Sequence, residues 1–226
     1  LRMYYSIVID NYIKTGKANT AANFDGSWTE RAFIGMCEST DPAGAVWTDK
    51  GFVTTSSSDR GKNFTRASTN DWSAYFYYNA IDPTYIVTPE GKHYLIHGSW
   101  HSGFALLPVD ATTGKPLNKL GEPYAASTSE LTARYGVRIG TRTASSRWQG
   151  SEAPEIIYKD GYYYLFMAYD GLDVPYNTRV VRSAKIEGPY LDITGRNFTA
   201  GSGDSYPIVT HPYKFNLSNG WVGISH

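Results

Sequence analysis

Short runs of β-branched and aromatic residues, cut by Gly, Asp, Asn and Pro, dominate this chain, and runs of that length and pattern predict half-buried strands. They fall at 3–9, 32–38, 85–88, 93–98, 104–109, 155–158, 162–169, 179–183, 208–210 and 221–225. Turn residues separate them. Pro89-Glu90-Gly91-Lys92 is one such break, and Lys159-Asp160-Gly161 carries the Asp-Gly pair expected in a tight hairpin. No segment shows the 3.6-residue periodicity of an amphipathic helix, so the expected class is all-β.

The pattern also repeats weakly. An aromatic strand (Met3-Tyr4-Tyr5-Ser6, His93-Tyr94-Leu95-Ile96, Tyr163-Tyr164-Leu165-Phe166) is followed each time by a second apolar strand and a Gly/Pro turn. Those turns are Ser39–Gly44, Ala111–Pro116 and Lys185–Tyr190, and a fourth unit begins near Trp221. Repeated antiparallel sheets of this size predict a β-propeller, whose blades share a central funnel. The polar stretches at about 55–75 and 123–148 exceed plain turns and are expected to form rims around that funnel.

Composition narrows the partner. With 21 basic and 21 acidic residues the formal net charge is zero, which argues against a nucleic-acid footprint or a polybasic membrane surface. A neutral ligand such as a sugar fits better. The chain holds 19 Tyr and 6 Trp, which strands favour and which can also stack on sugar rings. Its single cysteine, Cys37, sits in an apolar run and is expected to be a buried structural thiol. No apolar run reaches the roughly 20 residues of a membrane helix, and the first residues carry no signal-peptide pattern.

Two acidic motifs carry the chemistry. Asn79-Ala80-Ile81-Asp82-Pro83 and, some seventy residues on, Ser151-Glu152-Ala153-Pro154-Glu155-Ile156 each place a carboxylate beside a strand. Cleavage of a sugar–sugar bond needs such a pair, because one acid protonates the leaving oxygen while other carboxylates tune it or activate water. Strict strand alternation sends the side chains of Glu152 and Glu155 to opposite faces, so only one of them can face a substrate.

These motifs, with Gly98-Ser99-Trp100 between them and Ile186-Glu187-Gly188-Pro189-Tyr190 after them, resemble glycoside hydrolase family 43 in order and spacing. The Asn-Ala-Ile-Asp-Pro form is closer to its arabinanase branch than to its xylosidase branch. The resemblance implies an all-β, five-bladed propeller, with residues 1–226 spanning roughly blades two to four and the beginning of blade five. It further implies an inverting hydrolase that cleaves α-L-arabinofuranosyl linkages of arabinan. Carried over, Glu152 is the general acid, and Asp82 keeps that acid protonated and oriented. Ser99, Trp100, Phe104, Trp148 and Tyr169 are the expected sugar contacts, with packing between blades as the plain alternative for each. His226, in Gly223-Ile224-Ser225-His226, is the expected minor ligand of a calcium or sodium ion at the propeller centre. No organic cofactor is implied.

The family's general base belongs to a first blade that this sequence does not show. Asp41-Pro42 reads as an outward turn, and Asp10 and Asp25 read as solvated loop residues, so no base is assigned. A propeller without that blade cannot close, which leads us to expect a fragment of a longer protein. His93, His97 and His101 are spaced like a helical metal face, but along a strand neighbours lie roughly 13 Å apart, too far to share an ion. An exo-acting α-L-arabinofuranosidase or β-xylosidase shares the same motifs, and a non-catalytic carbohydrate-binding propeller is a second alternative. A plant-wall polymer as substrate implies a secreted or cell-envelope location; the oligomeric state is not legible.

Overall fold

The computed structural model describes residues 1–8, 32–56, 78–100, 102–118, 135–143, 150–170, 177–201 and 206–207. Among them every regular element is a strand, arranged in three sheets. The first sheet holds β1 (Arg2–Val8), β2 (Ala32–Asp41) and β3 (Val46–Thr55). The second holds β4 (Thr84–Val87), β5 (His93–His97), β6 (Phe104–Val109) and β7 (Val137–Gly140). The third holds β8 (Ser151–Lys159), β9 (Tyr162–Tyr169), β10 (Asn177–Ser183) and β11 (Tyr206–Pro207). Each sheet is an antiparallel meander in which sequence neighbours pair. That is the blade pattern the repeats predict.

The second sheet is buried on both faces, which explains why β5 and β6 read as continuous apolar runs. Leu95, Leu107 and Val109 face the first sheet and pack with Ile34, Met36 and Val53. Ile96, Phe104 and Leu106 face the third sheet and pack with Leu165, Met167 and Phe198. Adjacent residues such as Leu95 and Ile96 thus serve different cores, as a period of two requires.

Turn chemistry joins the sheets at their rims. Asp160 and Gly161 both adopt positive φ, 51° and 83°, and form the two-residue loop between Lys159 and Tyr162 that the sequence predicts. The turn after β6 reaches back to the first sheet. Lys115 Nζ donates to the carbonyls of Lys50, Gly51 and Phe52 at 2.7, 2.9 and 2.6 Å, and Tyr4 Oη donates to Gly114 O at 2.9 Å.

Some expectations change. β3 escapes sequence reading because its middle, Thr48-Asp49-Lys50, is polar and exposed in an outer strand. The segment expected as a rim loop at 123–148 contains β7, a real strand paired to β6. Expected strands at 208–210 and 221–225 lie outside the described residues. Cys37 is buried, its Sγ lying 3.8 Å from Met3 O, as a structural thiol should be.

Candidate active site

The site grows from β4 and β8, the first strands of the second and third sheets. Asp82 lies just before β4 with φ of 55°, a left-handed conformation that Asp tolerates better than most residues. Its carboxylate Oδ2 accepts the backbone N–H of Ala153 at 3.0 Å. Ala153 also has positive φ, 53°, and follows Glu152 directly. Thus Asp82 grips the backbone beside Glu152.

The Glu152 carboxylate is half-buried and accepts the hydroxyl of Ser99 at 3.2 Å, through Oε2. Ser99 is itself buried, in the loop between β5 and β6. That loop is tightly wound: Trp100 and Ser102 have φ of 60° and 61°, and Gly98 and Gly103 have φ of 142° and 90°. A Cβ on Gly103 would stand 2.0 Å from Gly140 O, so only glycine fits there. Strain held by surrounding structure is characteristic of functional loops. The backbone N–H of the half-buried Trp100 donates to Ser151 O at 2.9 Å, pinning the residue before Glu152.

Glu155 is separated from Glu152 by partners and not by sheet face. The pairing shifts register between them: Glu152 opposes Ala168 and Glu155 opposes Phe166, two residues apart on β9. With this irregularity the alternation that would send the two side chains to opposite faces no longer applies. Glu155 instead accepts the hydroxyl of Thr84 at 2.8 Å, which makes it a clip between β8 and β4.

A buried network holds the Asp82 motif from behind. Ser56 Oγ donates to Asn79 Oδ1 at 2.8 Å and accepts the N–H of Ala80 at 2.9 Å. His97 is buried, with Nδ1 3.2 Å from Asn79 O. Burial holds its imidazole below the ordinary range, opposed by the carbonyls of Asn79 and Tyr135. Gly98 N–H donates to Ile81 O at 3.1 Å.

Other expected residues fall elsewhere. Phe104 and Tyr169 are fully buried members of the core between the second and third sheets, so neither ring offers a face to a sugar. His93 bonds Tyr85 through Nδ1, at 2.5 Å to Oη, as a single structural contact. Asp41 caps the exposed turn after β2 by accepting Gly44 N–H at 3.0 Å. Trp148, His101, His226, Asp10 and Asp25 lie outside the described residues. Among those described, no three His, Cys, Asp or Glu side chains come together as a metal site.

Sequence reading missed one cluster at the mouth of β8. Arg142 Nη1 donates to Asp170 Oδ1 at 2.5 Å and to Gly150 O at 3.0 Å, and Asp170 N–H donates to the same carbonyl at 2.9 Å. The Arg142 guanidinium also lies 4.4 Å from the centre of the Tyr169 ring. The only signal in the sequence is the Asp170-Gly171 pair that ends an aromatic strand.

Known proteins share this arrangement of strands. The sequence profile described as glycosyl hydrolases family 43 matches residues 3–211. The extracellular endo-α-(1→5)-L-arabinanase 1 of Bacillus subtilis is 30% identical over 174 residues, which is 75% of this chain and 43% of that protein. The extracellular endo-α-(1→5)-L-arabinanase of Thermotoga petrophila is 35% identical over 140 residues, 60% of this chain and 26% of that one. Among solved structures, a GH43 endo-arabinanase from Bacillus licheniformis superposes with a TM-score of 0.59 at 27% identity, covering 90% of this chain and 54% of its own. The chain spans less than half the length of these curated relatives.

Proposed function

The chain belongs to glycosyl hydrolases family 43, whose arabinanase structures are the five-bladed β-propellers expected from the sequence, and on that premise we propose that it cleaves linear α-1,5-arabinan internally, with inversion. The observation that carries this reading is the joint hold on one carboxylate: Ser99 on the side chain of Glu152 and Asp82 on the backbone beside it.

In this reading Glu152 is the general acid. Its proton passes to the glycosidic oxygen as the bond from that oxygen to the arabinose C1 breaks, leaving a free hydroxyl on the departing sugar. A water attacks C1 from the opposite face, and its proton goes to a carboxylate acting as general base. Asp82 fixes the acid's position through Ala153. Ser99 and the neighbouring Trp100 line the approach, the indole offering a face to a furanose ring. Relatives named as extracellular arabinanases support a secreted or cell-envelope location, where a polymer can be met.

The purified full-length polypeptide incubated with linear arabinan should release reducing ends as oligosaccharides, with the β-anomer appearing first by NMR. Glu152→Gln should lower that rate on the order of 10²-fold or more, the usual contribution of a general acid. Monosaccharide as the sole product would mean exo action, the activity in the name of a Cellvibrio japonicus relative that is 30% identical over 154 residues. Arabinan binding without any release of reducing ends would sink the hydrolase reading in favour of a carbohydrate-binding propeller.

A further inference from the structure

Glu152 is held by more than its own contacts. The two residues before it, Gly150 and Ser151, offer their carbonyls to three donors that come from both sheets. The backbone N–H of Trp100 donates to Ser151 O, while Arg142 Nη1 and the backbone N–H of Asp170 both donate to Gly150 O. Arg142 follows β7 in the second sheet, and Asp170 follows β9 in the third, so their ion pair crosses between blades.

The pair is built rigidly. Arg142 and Asp170 keep only 27% and 30% of their side-chain surface exposed, and Asp170 adopts φ of 74°. The guanidiniums of Arg142 and Arg179 lie 4.4 and 5.0 Å from the Tyr169 ring centre, so a fully buried ring orients both. Asn177 donates to the second Asp170 oxygen at 3.4 Å and accepts Arg179 Nε at 2.5 Å, closing the network. Room to shift is small: a Cβ on Gly150 would lie 3.1 Å from Asp170 Cα and 3.2 Å from Arg142 Nη1.

From this geometry, and resting on the reading of Glu152 as general acid, we propose that the Arg142–Asp170 pair is a positioning device that sets the Glu152 carboxyl for proton donation through the Gly150 carbonyl. It touches no reacting atom. Its removal should therefore injure only the step that needs the proton.

The decisive comparison uses two substrates on the full-length protein. Arabinan has an alkoxide leaving group that must be protonated, whereas a 4-nitrophenyl arabino-oligosaccharide releases a phenolate that needs little help. Arg142→Gln should lower kcat on arabinan by on the order of 10²-fold, the scale of a misplaced catalytic group, with KM little changed. On the aryl substrate the loss should be no more than a few-fold, and Arg142→Lys, which keeps the charge and a donor, should regain part of the arabinan rate. Asp170→Asn should show the same selective loss. Equal losses on both substrates, or none, would overturn the proposal while Glu152→Gln keeps its own selective effect. If Glu152→Gln cleaves arabinan as well as the unchanged protein, the general-acid reading itself falls, and this one with it.

Discussion

At the scale of the residue, burial decides what each polar group does. His97 belongs to a histidine series whose spacing suggests metal on a helix, yet its place in β5 buries it with Nδ1 against Asn79 O. Its imidazole is held below the ordinary range chiefly by burial. A histidine whose folded value is lowered leaves the folded state neutral while the unfolded chain takes up a proton. The stability it permits is complete above the unfolded value of about 6.5 and is lost as pH falls below that, down to the folded value, at up to about 1.4 kcal/mol per pH unit. Urea unfolding between pH 5 and pH 8 should show this slope, and His97→Gln should flatten it. An unchanged slope in the variant would assign the acid sensitivity to other groups. The motifs that hold Asp82 and Glu152 stand out in the sequence because both are compact. The sequence could not reveal Ser56 or His97 behind Asp82, since a buried serine and a strand histidine carry no mark of what they face.

At the scale of the element, strands with apolar faces were legible and polar outer strands were not. β6 and β9 occupy 104–109 and 162–169, as their apolar and aromatic runs predict, while β3 and β7 were hidden by polar or glycine-rich stretches. Turns were readable where glycine is required for backbone reasons alone. Gly161, at φ of 83°, has no atom within 4 Å of an added Cβ, so substitution there tests backbone strain in isolation. Gly161→Ala should cost about 1–2 kcal/mol, the usual penalty for a left-handed residue with a Cβ, and should leave the proposed arabinan cleavage below the melting transition unchanged. Gly103→Ala makes the contrast, because its Cβ would meet Gly140 O at 2.0 Å and disturb the loop carrying Ser99. Circular-dichroism melting and activity measured on both variants would separate strain from collision. A Gly161→Ala protein with normal stability would mean that the hairpin does not need its left-handed turn. The irregularity between Glu152 and Glu155 was illegible, because it depends on pairing with β9 and not on the residues of β8 alone.

At the scale of the whole molecule, the second sheet couples the others. Its β5 gives Leu95 to the core shared with the first sheet and Ile96 to the core shared with the third, and then continues into the loop holding Ser99 and Trp100. Repeats in the sequence announce blades, but which side of each blade meets which neighbour appears only once the sheets are stacked. Both Leu95 and Ile96 are fully buried, so truncation of either to Ala should cost about 2–5 kcal/mol. If the three sheets unfold as one unit, Leu95→Ala must lower the temperature at which the proposed arabinan cleavage is lost as much as Ile96→Ala does. It must do so although it opens a cavity on the side away from Glu152. Tryptophan fluorescence and residual activity followed along the same thermal ramp should then give coincident transitions for each variant. Should Leu95→Ala shift the fluorescence transition and leave the activity transition in place, the first sheet would be melting separately. The grip of Asp82 and Ser99 on Glu152 would then need only the second and third sheets to persist.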